Sequence, residues 1–139
     1  MRAVICLVLI AIALPLATAD EPATSASKIE RLHAERVSLL QQSLDAVLAL
    51  QKVGAVGGGL EQVHQARIEL LRAKLDAAKT RQERIKIHGE LVAEAAEWVE
   101  SVGARFREGS AGASGIDLLR AKAYHLETQI ALEQAKAGN

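Results

Sequence analysis

Apolar positions along this chain fall into two regimes. From Ala3 to Leu14 they follow one another without a break. From Ser27 onward they recur three and four residues apart, which is the spacing of a helix face, and no stretch alternates apolar with polar in the manner of a strand. The spacing predicts four helices, over about 28–53, 60–79, 81–107 and 115–136. The first carries Ile29, Leu32, Leu40, Leu44, Val47 and Leu48 on one face, and the second Leu60, Val63, Ala66, Leu70, Ala73 and Ala77. The third offers Leu91, Val92, Ala95, Trp98, Val99, Val102 and Phe106, expected to face Leu119, Ala123, Leu126 and Ile130 of the fourth. Each hairpin sets larger side chains on one arm against more alanine on the other, which suits close antiparallel, coiled-coil-like packing. The fold class is all-α.

Capping chemistry fixes where these helices begin. A Ser or Thr whose hydroxyl accepts from the first turn, followed three residues later by an acid that reaches back, marks an entrance. Ser27 with Glu30, Thr80 with Glu83 and Ser114 with Asp117 fit, and Gly59 with Gln62 keeps the spacing with a weaker cap. Gly54 and Gly109 stand just past the ends of the first and third helices, where a left-handed residue closes the last turn.

The glycine positions also disclose a repeat. Shifted by 55 residues, the chain aligns His33 with His88, Glu35 with Glu90, Val37 with Val92, Gly54 with Gly109, Gly57 with Gly112, Ala66 with Ala121 and Leu71 with Leu126. Leu75 with Ile130 and Arg67 with Lys122 are conservative partners in the same register. The expectation is a duplicated helical hairpin, about 27–80 and 81–137, each unit a helix, a glycine-rich turn and a helix.

The N-terminal regime has a different meaning. One basic residue, Arg2, precedes the apolar run, Pro15 breaks it, and Ala17-Thr18-Ala19 supplies small residues where a signal peptidase needs them. The run is about twelve residues, shorter than the roughly twenty that span a bilayer. Residues 1–19 therefore read as a signal peptide cleaved after Ala19, with 20–26 as a loose leader and 27–139 as the helical domain. Localisation is expected to be exported and periplasmic, with no integral span after cleavage. Cleavage removes the single cysteine, Cys6, so the product has no disulfide or thiol chemistry.

Charge and candidate chemistry exclude more than they suggest. The 17 basic and 17 acidic residues balance, which argues against a nucleic-acid partner. The histidines, His33, His64, His88 and His125, joined by Glu30 and Glu94, are the candidate metal or acid–base groups. No His-x-x-x-His pair sets two histidines on one helix face. The serines have no nearby His–Asp arrangement, so no enzyme, cofactor or metal is assigned. Gly57-Gly58-Gly59 before a helix lacks the strand and the Lys-Ser/Thr of a phosphate loop. Trp98 and Phe106 are core anchors or, if exposed, contact anchors.

Phe106-Arg107-Glu108-Gly109, then Ser114-Gly115-Ile116-Asp117-Leu118-Leu119-Arg120-Ala121, with Leu126 and Ile130 behind, resembles the repeat of the outer-membrane efflux protein (TolC-like) family. Gly54 and Val63-His64-Gln65-Ala66 form a fainter first copy that lacks the aromatic and the Asp. The chain also resembles short exported helical proteins that carry this repeat alone. The resemblance implies the family's helical hairpins without its barrel, since no alternating membrane strand of about nine to eleven residues is present. The expected function is a non-enzymatic, exported structural or interaction protein, an accessory of efflux or transport. Its expected partners are other helical proteins or copies of itself. The alternative is a periplasmic stress chaperone or metal-responsive helical protein.

Overall fold

The computed structural model describes residues 24–54, 59–110 and 114–138. The signal segment 1–19, its cleavage point, the leader up to residue 23 and the Gly57–Gly112 pair lie outside the described residues. Four helices account for nearly all of the rest: α1 Ser25–Lys52, α2 Gly59–Ala77, α3 Arg81–Arg107 and α4 Gly115–Ala137. No strand occurs among the described residues. None of their helices is long and apolar enough to cross a membrane.

Local chemistry sets the boundaries. At α3 the Thr80 hydroxyl accepts from the Glu83 amide at 3.1 Å, while the Glu83 carboxylate accepts from the Thr80 amide at 3.1 Å. Ser114 and Asp117 form the same reciprocal box at α4. The entrance to α1 differs from the sequence expectation. Thr24, not Ser27, is the cap; its hydroxyl accepts from the Ser27 amide at 3.4 Å, and the Ser27 hydroxyl donates back to the Thr24 carbonyl at 2.8 Å. A second hydroxyl three residues upstream thus lets the helix run through Ser25 and Ala26, which were expected in the leader. Gly59 is also displaced: it is the first residue of α2 instead of its cap.

Both hairpins close in one way. Gly54 has φ +68° and donates to the Gln51 carbonyl at 3.1 Å; Gly109 has φ +65° and donates to the Phe106 carbonyl at 3.2 Å. Donors and acceptors of the two turns are 55 residues apart, so the repeat seen in the sequence is repeated as a hydrogen bond. Left-handed backbone is where a Cβ is costly, which accounts for glycine at both places.

Cross-helix contacts run in opposite chain directions, so neighbours are antiparallel. Glu30, near the start of α1, meets Lys79 beyond the end of α2 at 3.0 Å, and Arg36 meets Asp76 at 2.7 Å. The start of α3 meets the end of α4, where the Arg81 guanidinium donates to the Ala135 and Lys136 carbonyls. Among the described residues, backbone packing joins α1 to α2, α2 to α3 and α3 to α4, and no other pair. The helices therefore form an open row with α1 and α4 at its edges, not a closed bundle. Buried apolar residues are distributed accordingly: Val63, Ile68, Leu70 and Ala73 on α2 and Leu91, Ala95 and Val102 on α3, against only Leu44 on α1 and Ala121 on α4.

Candidate functional site

The most buried positions on the side of α4 that meets α3 are small or short side chains. Ala121 is fully buried and Thr128 nearly so, and the Thr128 hydroxyl donates to the His125 carbonyl at 2.7 Å. On α3, Gly103 is bare enough for a Leu118 methyl to lie 3.6 Å from where its Cβ would stand. Small residues let the two axes approach closely, so this seam wins over the larger stripe on the other side. Tyr124 extends the seam: its ring lies 5.9 Å from Trp98, edge-on, with the Arg72 guanidinium from α2 5.4 Å from its centre. Burial pushes the Tyr124 hydroxyl above its ordinary pKa, partly offset by Arg72.

The expected face of α4 is therefore corrected. Leu119, Ala123, Leu126 and Ile130 do not face α3; they lie on the outward side, with Leu119 68%, Leu126 59% and Ile130 58% exposed. Ile116 extends this stripe to the first turn. Positions 116, 119, 123, 126 and 130 alternate three and four residues apart, so they form one continuous seam along about four turns. On α1, Ile29 and Leu32, expected in the core, are likewise exposed, as is Leu39. Phe106 is exposed at the far end of α3 beside Gly115, whereas Trp98 is half-buried as a core anchor.

Between the two hairpins lies a polar cluster. His64 on α2 places Nδ1 2.5 Å from Glu94 Oε1 on α3, and both side chains are buried. Arg67 reaches the other Glu94 oxygen at 3.3 Å and Glu97 at 3.5 Å. In the sequence His64 and Glu94 stand as separate candidates, since helical spacing pairs residues only within one helix, and this pair spans two. Its only sequence signal is reciprocal spacing: about fifteen residues on each side of the Lys79–Thr80 turn. His33, His88 and His125 are not brought to it. Among the described residues, no three His, Cys, Asp or Glu side chains group so as to hold a metal ion.

The cap residues Thr80, Ser114 and Asp117 and the turn glycines Gly54 and Gly109 take up architectural positions. What remains for binding are the exposed apolar faces, the outward stripe of α4 and the exposed leucines and isoleucine of α1. No protein-family model, curated protein or solved structure matches this chain.

Proposed function

We propose that this chain is a non-enzymatic, exported helical protein that works by offering helix faces to another helical surface, in the manner of the periplasmic hairpins of TolC-like efflux proteins, as an accessory of efflux or transport. The observation that carries the reading is the seam from Ile116 to Ile130, which lies opposite the side of α4 packed on α3. Burying one exposed Leu or Ile is worth about 1.5–3 kcal/mol, and four of them on a rigid helix make a docking stripe of consequence. The efflux assignment rests on the motif from Phe106 to Ala121 and on the open row of antiparallel hairpins. Export rests on residues 1–19. The metal-responsive alternative has no ligand cluster among the described residues to rest on.

The test is photo-crosslinking in the natural host with benzoylphenylalanine in place of Leu126, and in a second strain in place of Glu100, exposed on α3. Expected is a crosslinked protein band from position 126 and none from 100. Irradiation that gives no product at 126 counts against the docking reading. Intact mass of the recovered protein checks export, with a product starting at Asp20 expected.

A further inference from the structure

The repeat register carries the question of what covers α4 further than exposure alone. Within one molecule α2 docks on α3, the second arm of one hairpin against the first arm of the next. Shifted by 55 residues, α2 residues that meet α3, His64 and Leu71 among them, become bare ones of α4. His64, 5% exposed, becomes Leu119, 68% exposed; buried Ile68 becomes Ala123, and half-buried Leu71 becomes Leu126, both exposed. Shifted back by 55, the α3 side of the interface becomes the bare edge of α1: buried Glu94 corresponds to exposed Leu39, and half-buried Ile87 to exposed Leu32. The outer faces at the two ends of the row are thus the two halves of an interface that the molecule already makes once, in its middle.

We propose that α4 of one molecule docks on α1 of a second copy in the arrangement of α2 on α3, a proposal that rests on the docking reading above and names its partner. Leu119 then meets Leu39 of the partner subunit where His64 meets Glu94 within the chain, so an ion pair is replaced by an apolar pair. The flanking contact keeps its sense: Arg67 donating to Glu97 becomes Lys122 donating to Gln42 of the partner subunit. Repeat arrays that end a row ordinarily carry polar outer faces on their terminal units; here both terminal faces are apolar and mutually complementary. The pairing is heterologous, so successive copies add in one direction until a ring closes or a filament runs on.

Two single variants of the full chain, Leu39→Glu and Leu119→Glu, test this by light scattering and sedimentation. Both sites are exposed, so helical circular dichroism is expected to be unchanged; Leu39→Gln and Leu119→Gln serve if either Glu variant loses helicity. Wild type is expected to gain mass with concentration beyond a dimer. Each variant alone is expected to be monomeric, and an equimolar mixture to form a one-to-one complex, because the intact α4 of Leu39→Glu meets the intact α1 of Leu119→Glu. Self-association of Leu39→Glu at wild-type strength overturns the proposal in favour of two α4 faces pairing with each other. A mixture that stays monomeric also overturns it. So does a wild type that is monomeric at about 100 μM; if such a protein still crosslinks from position 126 in cells, the partner is a different helical protein, and if it does not, the docking reading falls too.

Discussion

Glu94 offers the sharpest test at the level of single residues. It is buried, and its two oxygens are taken by His64 and Arg67. Removing one member of a buried pair leaves the other desolvated without compensation, so Glu94→Leu is expected to destabilise by about 3 kcal/mol in urea. The double variant His64→Leu/Glu94→Leu is expected to recover to within about 1 kcal/mol of wild type, as replacement of a buried pair by apolar residues commonly does. A double variant no better than the single one would show that the pair is not a coupled unit. Gly109 is a second local case. No neighbouring atom lies within 4 Å of a Cβ built on it, so a substitution meets backbone strain and nothing else. Gly109→Ala and Gly54→Ala are each expected to cost about 1 kcal/mol, and equally, since their φ angles are +65° and +68°. Unequal costs would mean that the two turns are not the same motif.

For whole elements, the entrances to α3 and α4 confer a dependence on acid. The Thr80 and Lys79 amides, Thr80 first, hold the Glu83 carboxyl below its ordinary pKa, and the Ser114 hydroxyl followed by its amide does so for Asp117. A carboxyl depressed in the folded state stabilises it above the unfolded pKa, and that contribution is lost as pH falls through the folded value. Melting temperature should therefore decline on acidification from the ordinary carboxylate range downward, and Glu83→Gln combined with Asp117→Asn, which removes both titrating groups, should flatten the decline. An unchanged slope in that double variant would separate the caps from the acid response. These entrances were legible in the sequence because hydroxyl, acid and spacing are all local. Thr24 escapes that pattern because the residue three later is Ser27, a hydroxyl where an acid is expected, whereas Ser27 with Glu30 satisfies it. The face of α4 was not legible, since two stripes of helical period coexist on it. The larger, Leu119 to Ile130, looks like core by hydrophobicity, but the smaller, Ala121 with Thr128, packs closer. The His64–Glu94 pair escaped for a related reason: a contact between helices is fixed by their register, which no single-helix pattern contains.

Across the whole molecule, the open row predicts a gradient of protection. α2 and α3 each have two packed sides and hold most of the buried apolar residues, whereas α1 and α4 have one. Hydrogen exchange followed by mass spectrometry at low protein concentration should show amides in the middle of α2 and α3 slowest, with α1 and α4 opening first. Uniform protection across all four helices would imply a closed bundle. The all-α class and its four helices were readable from the spacing of glycines and apolar residues, but the failure of α1 to meet α4 was not. Each hairpin has an amphipathic pattern that a closed bundle would satisfy equally well.

That missing meeting of α1 and α4 has a mechanical side. Among the described residues nothing in the packing ties α1 to α4, so a pull on these two helices finds no clasp that must snap at once. Load would peel the outer helices away one at a time, leaving the central pair to yield last, so the protein would give way in steps, like a strip of tape lifted from either end.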